Sequence, residues 1–216
     1  MNIEKQMNLN NEVIDSIYSF FKGAQTLFEN DEEIATIYSY LLLQATGIER
    51  LQKLYLILKH HDDFNEYIGE QELKKYSHKI FDTYKSKFEQ LISDEDKELI
   101  EKSLEIIGDI VNSKRYVNFS NDNNKIFNIH SHITKIIEIE KINSSKIIDN
   151  TKFSWKILDV VLKKYIAILI SDIWHGEVGK GLIIPICLKE YVLNGLKDLD
   201  LLKEINKIYE MEKKYE

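Results

Sequence analysis

Residues that break helices are scarce in this sequence, which holds one proline, Pro185, and eight glycines among 216 residues. Proline removes a backbone donor, and glycine costs about 1 kcal/mol relative to alanine inside a helix, so their scarcity favours long helices. Apolar residues also recur at steps of three and four, as at Ile34, Ile37 and Leu41. That spacing is the period of a helix with one buried face, and it predicts an all-α fold.

The apolar period, the capping residues and the turn-forming residues together predict a bundle of roughly eight helices. Their approximate ranges are 11–29, 31–63, 70–91, 93–114, 125–142, 152–174, 184–196 and 199–213. The fifth range has an alternative, because Ile137–Lys141 alternates like a strand; a helix is favoured since no partner strand is predicted. Arg115–Asn124 is a predicted loop, and His175–Gly181 is a predicted Gly-rich break.

The bundle is predicted to be a single domain over residues 1–216, with the C-terminal helices of 150–214 packed on the rest. A formal charge of −7 makes non-specific nucleic-acid binding weak outside a local basic patch. Cys187 is the only cysteine, which excludes an intrachain disulfide and a Cys-rich zinc site. The apolar runs are shorter than the roughly 20 residues of a membrane span, and no signal-peptide core follows Met1. A soluble, cytoplasmic protein without membrane contact is expected.

Metal and cofactor signatures are also weak. His130 and His132 would diverge by about 200° on a helix, and no third ligand is evident near them. The HGEVGKG stretch at His175–Gly181 lacks the spacing of a phosphate-binding P-loop. The prediction is therefore a protein with neither a bound metal nor a cofactor.

Arginine is rare here, since Arg50 and Arg115 are the only two in a chain whose other basic residues are lysines. The guanidinium offers a planar fork of donors that lysine cannot supply, so these two positions are candidates for anion recognition. Chance retention of two surface arginines is the alternative. Arg50 follows Glu49 and precedes Lys53, which lies four residues after Glu49 in ion-pair spacing. This group is either a charged cluster facing a groove between helices or a solvated helix face.

His78 is the candidate acid–base residue. It lies on the polar side of the third predicted helix, with Lys74 four residues before it and Asp82 four residues after it. A carboxylate at that spacing would orient the imidazole for proton transfer. A solvated surface histidine is the alternative interpretation.

Three stretches of this sequence together resemble the prokaryotic HEPN superfamily. They are ATGIERLQKLYLILKHH at Ala45–His61, GEQELKKYSHKIFD at Gly69–Asp82, and SKRYVNF at Ser113–Phe119, which follows an acid-capped helix. In that resemblance, one helix carries a Glu-Arg pair, the next carries a histidine, and an Arg-Tyr pair follows a further helix. The similar region covers about residues 33–119.

The resemblance implies a HEPN-like all-helical fold and a homodimer, and many members are metal-independent ribonucleases of toxin–antitoxin or phage-defence systems. In such a site, His78 would activate the ribose 2′-OH or protonate the leaving oxygen. Arg115 and Arg50 would stabilise the charge on phosphate, beside Glu49. The Arg-x4-6-His signature of the family is absent, since the first histidine after Arg115 is His130.

Two functions therefore stay open on the sequence. The first is a HEPN-like effector that binds or cleaves RNA without metal, with RNA or a nucleotide as its ligand. The second is a non-catalytic helical interaction or regulatory module with a cognate protein partner. Catalysis requires its groups in one cleft, so the positions of Glu49, Arg50, His78 and Arg115 distinguish the two.

Overall fold

The computed structural model describes residues 3–30, 37–112, 151–180 and 186–212, and no strand occurs within these ranges. The all-α prediction is confirmed for this part of the chain. The helices, with the labels used below, are α1 (Ile3–Asn11), α2 (Ser19–Asn30), α3 (Ile37–Phe64), α4 (Glu70–Lys74), α5 (Ile80–Thr83), α6 (Asp94–Asn112), α7 (Thr151–Trp174), α8 (Lys189–Leu193) and α9 (Leu201–Glu212).

Shorter helical segments join several of these helices. A π-helical segment, Glu12–Tyr18, connects α1 to α2 without a break, so the two form one N-terminal helix. After α5, a π-helical segment, Tyr84–Phe88, continues into a 3₁₀ turn, Glu89–Leu91. Further 3₁₀ turns precede α8 at Ile186–Leu188 and follow it at Leu196–Asp198.

Helix α3 lies at the centre of the described fold, packed against the N-terminal helix, α5, α6 and α7. Helix α7 is apolar around most of its circumference, which is the pattern of a helix buried on several sides. Its fully buried apolar residues are Ile157, Leu158, Val161, Leu162, Tyr165, Ile166, Ala167, Leu169 and Ile170. The hydrophobic cluster around α3 and α7 also takes residues from the N-terminal helix, α5, α6, α8 and α9. The assignment of residues 1–216 to one domain stays a prediction.

Several predicted boundaries change in the structure. The first helix begins at Ile3 rather than Asn11, because Leu9 packs into the core and extends the helical face toward the N-terminus. The predicted continuous helix over 70–91 is wrong, since α4 ends at Lys74 and a turn leads into α5. The predicted start of α6 after Ser93 is confirmed, and the Ser93 hydroxyl donates to Asp96 at 2.6 Å.

Parts of the predictions lie outside the described residues. The loop at Arg115–Asn124, the segment 125–142 with its helix-or-strand alternative, and Pro185 all belong to these parts. The Gly-rich break is confirmed through Lys180, because α7 ends at Trp174 and left-handed turns follow at Gly176 and Gly179.

Gly47 allows the N-terminal helix to approach α3 closely. A Cβ atom at this position would lie 2.5 Å from a ring carbon of Phe21, well inside van der Waals contact. We expect Gly47→Ala to destabilise the fold by about 1–3 kcal/mol, because overpacking exceeds the gain in helix propensity. Urea denaturation measures the change. Gly108→Ala in α6 is the matched control, since its Cβ would meet Phe81 at an ordinary 3.6 Å; equal stability of the two variants would contradict this packing.

Asp159 is a buried carboxylate in the core between α3 and α7. It accepts a hydrogen bond from the Tyr40 hydroxyl at 2.8 Å and pairs with Lys163 at 2.7 Å. Burial raises the pKa of Asp159 above its ordinary value, although the charge of Lys163 opposes the shift. The ionised form therefore costs stability at neutral pH, and the cost falls as the pH drops through the folded-state pKa.

We expect Asp159→Asn to stabilise the protein at neutral pH, because asparagine still accepts from Tyr40 but carries no buried charge. The gain should shrink as the pH falls below the folded-state pKa of the wild-type carboxyl, where wild-type Asp159 is itself neutral. Urea midpoints of both proteins at neutral and mildly acidic pH measure this difference. A gain that grows on acidification would show that the ionised carboxylate stabilises the fold.

Candidate functional site

Glu49, Arg50 and Lys53 lie on one side of α3 and supply charged groups to the candidate site. The Lys53 ammonium pairs with a Glu49 carboxylate oxygen at 2.7 Å, which confirms the pair predicted from the spacing. The Glu49 side chain is only 12% exposed. A carboxylate this shielded keeps a fixed position, and its other oxygen faces a different partner.

That partner comes from the turn between α4 and α5. The Lys53 ammonium donates to the Ser77 hydroxyl at 2.9 Å and so fastens the turn onto α3. The next residue, His78, has a φ of +59°, a left-handed conformation that histidine adopts more readily than most residues. The conformation carries the imidazole back over α3, where its Nδ1 lies 3.3 Å from Glu49 Oε2.

The turn corrects the predicted environment of His78. The prediction placed the residue on a continuous helix with Asp82 as its orienting carboxylate. Helix α4 ends at Lys74, so the four-residue spacing to Asp82 no longer places the two side chains together. Glu49, which is 29 residues away in sequence, takes that position instead.

The imidazole of His78 has the Glu49 carboxylate beside one edge and is open on the other. Its side chain is 61% exposed, and Nε2 has no hydrogen-bond partner among the described residues. In the tautomer that carries its proton on Nδ1, next to the carboxylate, Nε2 is the nitrogen that accepts a proton. A histidine oriented in this way can take a proton from a hydroxyl group bound in front of it.

Arg50 borders the same surface on the side of the N-terminal helix. Its guanidinium pairs with Glu12 at 2.5 Å and lies 5.6 Å from the centre of the Phe20 ring. Only one of its nitrogens takes part in the Glu12 pair, so other N–H groups of the fork stay available to an anion.

A groove of about 260 Å³ lies beside Glu49, Arg50 and Lys53, between the N-terminal helix, α3 and α4. It is lined by Leu9, Glu12, Glu49, Arg50, Lys53, Leu54, Ile57 and Leu73. The groove thus combines four apolar side chains with two acidic and two basic ones, a lining that suits a ligand with both apolar and polar groups.

The structure brings three of the four predicted site residues to this region. Glu49 and His78 meet directly, and Arg50 lines the groove beside Glu49. Arg115 lies outside the described residues. The pairing of Glu12 with Arg50 was not predicted, because the two residues are 38 positions apart and no local sequence pattern links them. Ser77 adjoins the candidate histidine, but only the broken helix makes it a partner of Lys53.

Two other predictions concern metal ions and membranes. Within the described ranges, no three His, Cys, Asp or Glu side chains gather in a way that could hold a metal ion. His130 and His132 lie outside those ranges. None of the helices in the described part of the chain combines the length and apolar character needed to cross a membrane.

Comparison with known proteins gives no relative: the chain matches no protein-family model, no curated protein and no solved structure.

Proposed function

We propose that this protein is a HEPN-like effector that binds single-stranded RNA and cleaves it without a metal ion. Glu49 and His78 form its acid–base pair, and Arg50, together with Arg115, neutralises phosphate. The resemblance of residues 33–119 to HEPN proteins supports this class. It also supports a cytoplasmic homodimer that works in a toxin–antitoxin or phage-defence setting.

The observation that carries the proposal is the approach of Glu49 to Nδ1 of His78 at 3.3 Å, with Nε2 left open. The left-handed backbone at His78 adds to it, because strained residues persist where surrounding contacts hold them and they cluster at active sites. Here the contacts are the Lys53–Ser77 hydrogen bond and the Glu49–His78 approach. A histidine that is merely solvated at the surface requires neither of these two contacts.

Together, Glu49, Arg50 and His78 support a transesterification within the RNA strand. Nε2 of His78 takes the proton of a ribose 2′-OH, and the 2′-oxygen forms a bond to the adjacent phosphorus. The bond from phosphorus to the 5′-oxygen of the next nucleotide breaks, and that oxygen takes a proton from water. Glu49 stabilises the imidazolium that forms, and Arg50 stabilises the extra negative charge on the phosphate.

Incubation of the purified protein with a labelled single-stranded RNA in excess EDTA tests the proposal. We expect cleavage that EDTA does not reduce, with fragments that end in a 2′,3′-cyclic phosphate. RNA that stays intact in EDTA and is cut only after a divalent metal is added would contradict it. RNA that is neither cut nor bound under any of these conditions would favour the non-catalytic interaction module.

A further inference from the structure

Two aromatic–imidazole pairs lie side by side at the C-terminal end of α3. The rings of His60 and Phe64 have centroids 4.8 Å apart, and those of His61 and Tyr67 have centroids 4.9 Å apart. Both pairs are tilted rather than perpendicular, at 43° and 32°. Such an arrangement presents ring faces as well as ring edges to the surroundings.

The backbone at the helix end explains why the second pair forms. Asn65 has a φ of +55°, and its N–H donates to the His61 carbonyl at 2.8 Å, which ends α3. The chain then reverses and places Tyr67 against His61. Lys5 of the N-terminal helix lies over the Tyr67 ring, with its ammonium 5.1 Å from the ring centre, and so helps to fix it.

The His60 and Phe64 rings share a face of α3 with the candidate site. Glu49, Lys53, Ile57, His60 and Phe64 follow one another at steps of three and four, which is one side of a helix. Ile57 is one of the apolar side chains that line the groove described above. At 1.5 Å per residue, Phe64 lies about 22 Å along the axis from Glu49, a distance that a few nucleotides of single strand span.

The exposure of Phe64 is not explained by packing. The residue is 65% exposed, and its ring contacts that of His60. Asp63 and Glu66, on either side of it in sequence, are also exposed. Carboxylates repel phosphate but accept hydrogen bonds from the amino groups of bases, so this end of the face suits a base rather than the backbone of a strand.

We propose that Phe64, supported by His60, is a stacking platform for an unpaired base of the RNA substrate, several nucleotides from the bond that is cut. The inference rests on the proposed function, since it extends the same face of α3 into an RNA-binding track. Aromatic side chains bind unpaired bases by stacking, and each stacked base contributes strongly to affinity. Tyr67 and His61, which are both less exposed than Phe64, form a second ring pair next to it in sequence.

The test is binding of a short single-stranded oligoribonucleotide in which every ribose carries a 2′-O-methyl group, so that cleavage cannot occur. Fluorescence anisotropy compares wild type, Phe64→Ala and Phe64→Trp, with Leu193→Ala as the matched control. Leu193 is exposed to the same extent, at 66%, and belongs to α8, so its truncation removes a similar apolar surface elsewhere. Both truncated side chains are exposed, and circular dichroism checks that each variant is folded.

We expect Phe64→Ala to weaken binding about tenfold or more, while Phe64→Trp and Leu193→Ala bind like wild type. Equal binding by Phe64→Ala and wild type, or no binding by wild type, would overturn the stacking platform. Cleavage of unmodified RNA is measured separately. If the wild-type protein binds RNA through Phe64 but does not cleave it, the nuclease proposal alone is contradicted. If the wild-type protein cleaves RNA but Phe64→Ala binds RNA as well as wild type does, the stacking platform alone is contradicted.

Discussion

Replacement of His78 by asparagine is expected to slow metal-free RNA cleavage by about 10²–10⁴-fold, the usual contribution of a positioned acid–base group. Asparagine tolerates the left-handed backbone at this position, so the turn and its Lys53–Ser77 bond should survive. What is lost is the nitrogen that accepts the 2′-OH proton. Initial rates of cleavage in EDTA, with protein in excess over RNA, measure the effect.

The control for this variant is His175→Asn. His175 is likewise exposed, but it lies at the end of α7, where its Nδ1 is 2.8 Å from the Ser171 carbonyl oxygen. Its replacement should leave the cleavage rate unchanged. Glu49→Gln should also slow cleavage, because a neutral amide no longer stabilises the imidazolium. Cleavage by His78→Asn at the wild-type rate would remove His78 from the chemistry.

Replacement of Lys164 by methionine is expected to destabilise the fold by about 3–5 kcal/mol, the cost of leaving one member of a buried ion pair without its partner. Lys164 on α7 and Asp96 on α6 are 6% and 8% exposed, and their charged groups lie 2.5 Å apart. The same ammonium donates to the Leu199 carbonyl, and Ser93 donates to Asp96. This one side chain therefore joins α7, the start of α6 and the segment before α9.

Chemical denaturation of Lys164→Met measures the loss, and two further variants define its cause. Lys207→Met removes a lysine of the exposed pair with Glu204 and should cost less than about 1 kcal/mol. The double variant Lys164→Met/Asp96→Asn removes both charges and should recover part of the stability. A Lys164→Met protein as stable as Lys207→Met would show that the buried pair does not stabilise the fold.

Local sequence patterns predicted the features that depend on neighbours along the chain. Helices α3 and α7 follow from apolar residues at helical spacing, because burial of these residues in the core stabilises both helices. The Glu49–Lys53 pair and the start of α6 after Ser93 were also predictable, since both depend on residues within one helical turn. These interactions are predictable because they depend only on the spacing of a few neighbouring residues.

The features that were not predicted correctly depend on contacts between residues that are distant in sequence. The turn between α4 and α5 contains no glycine or proline, so its sequence alone predicts a continuous helix. Ser77 and His78 leave the helix because Lys53 and Glu49 on α3 offer them partners. The pairing of Glu12 with Arg50 has the same origin, since it requires the N-terminal helix to pack beside α3. Tertiary contacts of this kind override local propensity.

The most direct measurement of the proposed mechanism uses a DNA oligonucleotide that carries a single ribonucleotide, incubated with the protein in EDTA. Only the ribose offers a 2′-OH, so Glu49 and His78 should direct one cut, on its 3′ side, and leave a 2′,3′-cyclic phosphate. The all-DNA strand and the His78→Asn protein should give no comparable product. Cutting at deoxyribonucleotides, or the same single cut by His78→Asn, would contradict the account.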